Sequence, residues 1–288
     1  SVAKDELSEE DVVFDEISKG KLEETVSKID QALEGKDVDK KVKQKLRYIK
    51  RNWPSKLDEY EEKEAVLGQR NSSSKTDPDA TFMRMKDDHM RNGQLKPAYN
   101  LQFSTSDQFI INYTLHQDTT DTNTLIPHLE QYKLFYGDHT LEKICADSGY
   151  GSEENYEYLE DSGIAPFVKY NYFHKEQKEK VPNPYLARNL YYNEYEDCVY
   201  CPMGQRMENI GTVQKTTKSG YKQIYTRYQA KNCRGCPFRG VCYKAKGNRI
   251  IEINHKLNRY RSNARELLLS PEGIEHRKKR PCDVEATF

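Results

Sequence analysis

The sequence predicts an α/β fold, and three observations carry that expectation. Residues 99–104 and 108–115 are runs of β-branched and aromatic residues separated by Thr105, Ser106 and Asp107, which reads as a hairpin. Residues 121–134, DTNTLIPHLEQYKL, place Leu125, Leu129 and Tyr132 on one helical face, with Asp121 or Thr122 as the cap. Residues 143–154, KICADSGYGSEE, read as strand, tight turn and helix start. With a further strand at IAPFVKY, residues 164–170, the order is hairpin, helix, strand, helix, strand, the order of a layered α/β domain.

Ahead of this core, residues 8–34 recur helically through Val13, Ile17, Leu22, Val26, Ile29 and Leu33, and Gly35 ends the run. A second helix is expected from about Asp37 to Trp53, and a third after Pro54 and Ser55, giving a helical hairpin or small bundle. Its charged faces read as solvated surface or as phosphate contacts through the lysines and arginines of residues 40–51. The polar linker NSSSKTDPD, residues 71–79, separates it from the core. The expected division is 1–70 helical, 71–170 core, 171–249 Tyr- and Cys-rich, and 250–288 closing helices.

In the core, Ser152 suits a helix N-cap, and Glu153 and Glu154 suit a first turn that the helix dipole makes favourable for carboxylates. Asp147 then stands at the C-terminal end of a buried strand, where ligands collect in open α/β sheets. On position alone it is either a metal ligand or acid/base group, or a turn Asp serving local backbone donors.

Beyond residue 171, Tyr191, Tyr192, Tyr195 and Tyr200, then Tyr221, Ile224, Tyr225 and Tyr228, read as short strands, with residues 250–253 as a last one. Residues 256–269 form an amphipathic basic helix, followed by a helical segment holding Pro281 and Glu285. Five of the seven cysteines fall in Cys198-x2-Cys201 and Cys233-x2-Cys236-x5-Cys242, the spacing of thiolate knuckles for tetrahedral zinc. Four of these five are expected to bind a structural Zn2+, most simply Cys198, Cys201, Cys233 and either Cys236 or Cys242; free thiols or a degenerate site are the alternative. Disulfides are disfavoured by the odd count and the expected cytoplasmic setting. The histidines show no ligand spacing, and neither a phosphate-binding glycine loop nor a nucleophile elbow is present.

The 46 basic and 46 acidic residues of the 288 balance, which excludes a uniformly cationic nucleic-acid clamp and makes any basic surface local. Residues 1–34 are acidic, while 36–56 and 244–280 are rich in Lys and Arg. Hydrophobic residues make up 35%, a lean core, and neither an apolar run of bilayer length nor a signal peptide is visible, so no membrane partner is expected.

The blocks TDPDATFMRMKDDHMRNGQLKPAYNLQF, ADSGYGSEENYEYLE, CPMGQ, CRGCPFRGVC, SPEG and DVEATF occur in an order that resembles the DDE transposases of bacterial insertion sequences, over about three quarters of the chain. The resemblance implies an RNase-H-like mixed sheet flanked by helices, with an N-terminal helical insertion and a small Cys-rich insertion. It also implies metal-dependent phosphodiester hydrolysis and strand transfer on DNA, at element ends and target, by a homodimer. Two Mg2+ or Mn2+ ions, roughly 3.5 to 4 Å apart, would be held by carboxylates from separate elements. Asp147 and Glu285 match the family's second and third acids. The resemblance implies that the first acid lies upstream of Ser1, because relatives carry it in a short Asp-Gly-Thr-like segment ahead of a helical insertion that residues 1–68 resemble; the ends at Ser1 and Phe288 read as cut, and such a piece need not be active by itself. Asp77 and Asp79 are rival first acids, with turn and capping work as the alternative. Where relatives place an Arg four residues before the Glu, this chain has Pro281, leaving Arg277 and Arg280 as phosphate contacts. Asp283, two residues from Glu285 on a helix, is expected to point elsewhere. A non-catalytic DNA-binding remnant and a general RNase-H-like nuclease are the competing readings.

Overall fold

The computed structural model describes residues 27–28, 40–68, 70–85, 93–137 and 141–285. The chain divides into two compact units, Ser1–Phe82 and Met83–Phe288. Of the helix expected over residues 8–34, only Ser27 and Lys28 are described, and both are helical.

The first unit is dominated by α1 (Lys40–Leu67). The sequence suggests two helices here, broken at Pro54; the structure has one that continues through it. Proline removes a backbone donor, and two side chains bond main-chain carbonyls in that turn. Asn52 Nδ2 donates to Tyr48 O at 2.7 Å and Ser55 Oγ to Asn52 O at 3.1 Å. At the C-terminus of α1, Arg70 donates to Val66 O and Leu67 O, and to Pro78 O and Asp79 O at 2.8 and 2.7 Å. One guanidinium thus satisfies the orphan carbonyls of the helix end and pins the linker to it.

Strand β1 (Thr81–Arg84) runs across the division and β2 (Leu95–Ala98) follows. The expected hairpin is β3 (Asn100–Ser106) and β4 (Phe109–His116), turning at Asp107 and Gln108, both with positive φ. A 3-10 turn at Asp121–Asn123 leads into α2 (Leu125–Tyr136). β5 (Lys143–Ala146), α3 (Glu153–Asp161) and β6 (Ala165–Val168) form a parallel crossover unit, paired Lys143↔Ala165 through Ala146↔Val168. Ser152 caps α3, accepting from Asn155 N at 3.2 Å. A short helix, α4 (Phe173–Lys178), follows β6. Side chains from α2, α3, β5, β6 and α5 (His255–Leu269) share one buried cluster, with Leu125, Tyr156, Phe167, Tyr260 and Leu268 among its members. Burial of each such side chain stabilises the fold by roughly 1.5 to 3 kcal/mol.

The described strands do not make one mixed sheet. β3–β4 and β5–β6 are separate two-stranded sheets. A cavity of about 330 Å3 lies between them, lined by residues 102–107 on one side and 143–146 on the other.

The remaining strands are more regular than the sequence suggests. β7 (Tyr191–Asn193), β8 (Cys198–Tyr200), β9 (Arg206–Thr216), β10 (Lys222–Ala230) and β11 (Ile250–Ile253) form one antiparallel sheet in the order β11-β10-β9-β8-β7. β9 carries little strand signal because its residues, RMENIGTVQKT, are mostly polar and exposed; pairing along the length of β10 holds it. Asn254 caps α5, accepting from Leu257 N at 2.8 Å, and α6 (Pro271–Glu285) closes the fold with Pro281 inside it. No helix among the described residues is long and apolar enough to cross a membrane.

Candidate active site

The parallel register sets the site. Because Ala146 pairs with Val168, the next residues, Asp147 and Lys169, emerge side by side at the C-terminal ends of β5 and β6. Lys169 N donates to Ala146 O at 3.2 Å, and its Nζ stands 3.6 Å from Asp147 Oδ1. From α6, Arg280 Nη2 donates to Asp147 Oδ2 at 2.9 Å. Asp147 heads the 3-10 turn Ser148–Tyr150, yet its side chain makes no capping bond there. Its half-exposed carboxylate, 52% accessible, is directed at two cations.

Three features fix the turn after Asp147. Gly151 packs so closely that a Cβ there would stand 2.4 Å from Lys169 O and 2.8 Å from Tyr170 Cα. At Gly149, a Cβ would meet Asp121 Oδ2 at 3.0 Å. The Tyr150 hydroxyl donates to Gln102 Oε1 on β3. Asp121, expected only as a helix cap, accepts from Asn100 Nδ2 at 3.0 Å and Gln102 Nε2 at 3.2 Å. It is a positioning residue: it holds Gln102, which holds Tyr150, which belongs to the turn carrying Asp147. Its signal in the sequence is only its place between β4 and α2, since Asn100 and Gln102 lie about twenty residues earlier.

Burial raises the Tyr150 hydroxyl, and the nearby Asp121 and Asp147 carboxylates raise it further, so it stays a neutral donor. Burial likewise raises the Cys145 thiol, with Arg280 and Lys169 acting against it. Burial, then Lys169, Arg277 and Lys178, lower His174.

A second buried network ties the hairpin to α2. His128 is 4% exposed, with Ser104 Oγ 2.6 Å from Nε2 and Thr114 Oγ1 2.7 Å from Nδ1. Thr114 Oγ1 also lies 2.7 Å from His116 Nε2. Burial, and secondarily His116, push His128 down to about 4. No ligand spacing marks these histidines, because the link between them is a threonine.

Of the other expected acids, Glu285 is the last residue of α6, and its side chain lies outside the described residues. Arg280, five residues earlier, shows that α6 reaches Asp147. Asp283 does not point away: its side chain is 19% exposed and it lines the cavity beside Lys279 and Arg280. Lys279 spans Asp283 at 3.9 Å and Asp107 at 2.6 Å. In the other unit, Asp77 Oδ1 accepts from Asp79 N at 3.2 Å and Asp77 O from Ala80 N at 3.0 Å, which is turn work.

Among the described residues, no group of three or more His, Cys, Asp or Glu side chains is placed to hold a metal. The described residues around Asp147 offer one carboxylate and two cations, so alone they do not fit a divalent ion. Nor do the cysteines assemble as expected. All seven are free. Cys198 is fully buried, its Sγ 3.5 Å from Glu196 Oε2, on the face of β8 opposite Val199. Cys201 and Cys233 pack against the buried cluster that includes Val199, while Cys242 Sγ accepts from Arg249 Nη1 at 2.9 Å. Strand alternation thus parts Cys198 from the thiols it was expected to join.

No curated protein and no solved structure matches the chain. A family model described as transposase DDE domain matches residues 200–288, a span that begins after Asp147 and includes the cysteine loop, Arg280 and Glu285. Over that span, about a third of the chain, the sequence is similar to the DDE domain of transposases.

Proposed function

We propose that this chain is the catalytic region of a transposase that cuts phosphodiesters at element ends and joins the freed 3′-hydroxyl to target DNA. The observation that carries this reading is the convergence of α6 on the end of β5, through the 2.9 Å bond from Arg280 to Asp147. At 1.5 Å rise per residue, Glu285 stands only about 7.5 Å further along that helix axis. Asp147 and Glu285 are therefore assigned as acids of one site. If a further acid completes the site, Asp147 and Glu285 would help hold a divalent ion, which would supply the activation of water or of a 3′-hydroxyl. The chain's own cations act separately. Arg280 and Lys169, which pair with Asp147 in this state, are the cations assigned to the phosphate being cut.

The cavity between β3 and β5 gives further support. Each strand has an edge that no described strand pairs, and an RNase-H-like sheet would place a strand there, the expected carrier of the first acid. The neutralised state of Asp147 favours the competing reading, a DNA-binding remnant without catalysis.

One experiment decides between them. With Mn2+ and a duplex carrying element ends, Asp147→Ala should lower cleavage by about a thousandfold or more while duplex binding stays unchanged. Equal cleavage by the two proteins would remove the catalytic reading. Products cut at random positions with no joined strands would instead indicate a general nuclease.

A further inference from the structure

The loop between β10 and β11, residues 231–249, holds Lys231, Arg234, Arg239, Lys244, Lys246 and Arg249 and not one Asp or Glu, in a chain whose net charge is zero. Of these cations only Lys231 has an ion-pair partner among the described residues, Glu208 at 3.4 Å. Two arginines are spent on holding the loop together. Arg239 donates to Cys233 O at 2.9 Å from one limb, and to Ala245 O and Lys246 O, both at 2.6 Å, from the other. Arg249, only 6% exposed, donates to Cys242 Sγ at 2.9 Å and Tyr185 O at 2.7 Å, with no carboxylate against it. Guanidinium groups set on neutral acceptors satisfy their hydrogen bonds but leave their charge uncompensated.

That charge underlies an open groove of about 500 Å3, lined by Arg234, Gly235, Arg239, Lys246, Gly247 and Asn248. Arg234 and Lys246 flank it with exposed side chains, and a Cβ at Gly235 or Gly247 would meet nothing within 4 Å, so a ligand can approach the backbone itself. Asn248 is already committed, accepting from Cys233 N at 2.9 Å and donating to Lys231 O at 2.7 Å, which fixes the rim. A rigid, carboxylate-free rim of this kind suits a multiply charged oxyanion.

We propose that this groove binds the phosphodiester backbone of duplex DNA, as a contact separate from the cutting site at Asp147. The proposal rests on the transposase reading for its choice of DNA over other polyanions. It also gives the cysteine-rich loop a role that needs no metal: Arg239 and Arg249 stiffen the loop, and Arg234 and Lys246 meet the phosphates.

The test is fluorescence anisotropy of the whole chain with a labelled duplex, between about 50 and 200 mM salt. Arg234→Ala/Lys246→Ala should weaken binding roughly tenfold and reduce the slope of log affinity against log salt by about 2. A control of equal charge change, Lys218→Ala/Lys222→Ala at the β9–β10 turn, should stay within about twofold. Equal loss in both variants, or no loss in the groove variant, overturns the proposal. If the alanine pair melts early, Arg234→Gln/Lys246→Gln replaces it under the same criteria. Inorganic phosphate at fixed ionic strength separates the sources: if it raises the melting temperature of the parent but not of the groove variant while duplex affinity is equal in both, the groove takes free phosphate and the DNA assignment falls. Cleavage by the parent, lost in Asp147→Ala, alongside normal duplex binding by the groove variant, would remove the groove and leave the transposase reading standing.

Discussion

The β5–β6 region and the cysteine-rich sheet handle charge in opposite ways. At the end of β5, a single carboxylate, Asp147, faces Lys169 and Arg280 over a large apolar cluster. In the loop of the sheet, six cations gather with no acid among them over a much smaller core of Val199, Met207, Tyr228, Ala230 and Ile251. In the first arrangement the carboxylate is covered by its own two cations and becomes open to a further cation only when they move away. The second is unbalanced and already suited to an anion. The proposed cutting site and the proposed DNA contact thus fall in regions of opposite charge pattern.

The most damaging single change to that contrast is Gly151→Ala. A methyl group 2.4 Å from Lys169 O has to push apart the turn after Asp147 and the chain leaving β6, the two segments that hold Asp147 and Lys169 together. Overpacking of this kind costs about 3 kcal/mol or more when the obstacle is backbone. Denaturant unfolding should show that loss, and cleavage should fall with it while duplex affinity through the β10–β11 loop is kept. A variant as stable as the parent would mean that the turn yields without cost.

Next in size is a pH effect confined to the β3–β4 and α2 side. His128 titrates near 4 when folded and near 6.5 when unfolded, so the unfolded chain binds the extra proton between those values. Its contribution is complete above about pH 6.5, is lost as the pH falls toward 4, and changes no further below that, a total of about 3 kcal/mol. His128→Gln should flatten that part of the stability profile, measured by denaturant midpoints across the range. An unchanged slope would assign the acid sensitivity to other groups.

How much of this is legible in the sequence depends on the distance over which each feature is encoded. The strand, turn and helix around Asp147 are local, so the Ser152 cap, the parallel strands and the position of Asp147 follow from neighbouring residues. Glu153 shows where that stops. Its place in the sequence suggests a helix-dipole residue, yet it is 2% exposed and accepts from Asn254 Nδ2 at 2.5 Å and Gln223 Nε2 at 3.0 Å, partners 101 and 70 residues away. The roles of Asp121 and His128 are hidden for the same reason. Pro54 misleads in the other direction, because a local breaker is overridden by a helix long enough to carry it. The cysteine spacing says nothing of the strand that holds Cys198, whose alternation turns its side chain to the face opposite Val199.

A smaller effect tests the balance at Asp147 directly. Arg280→Ala removes the closer of the two cations from a half-exposed carboxylate, where screening keeps the pair near about 1 kcal/mol. Apparent Mn2+ affinity by calorimetry should rise by about fivefold, while cleavage at saturating metal should fall, because the cation assigned to the phosphate is gone. Both changes together support an arginine that alternates between acid and phosphate. Tighter metal with unchanged cleavage would leave Arg280 as a plug alone.

The smallest effect is a matter of rate and bears on the cysteine-rich sheet. Burial is what protects Cys198, whereas Cys282 on α6 is exposed and Cys201, Cys233, Cys236 and Cys242 are intermediate. A thiol reagent should therefore modify Cys282 first, these four thiols and the likewise intermediate Cys145 more slowly, and Cys198 only on unfolding, where its raised thiol pKa also ceases to slow it. A chelator should leave this order unchanged. A four-thiolate zinc site would behave differently, since four of the five knuckle thiols would be silent until the chelator was added and would then react together. Release of that kind would show that the sheet rearranges around a metal, turning Cys198 back toward Cys201, and the rigidity assigned to Arg239 and Arg249 would then have to be shared with the ion.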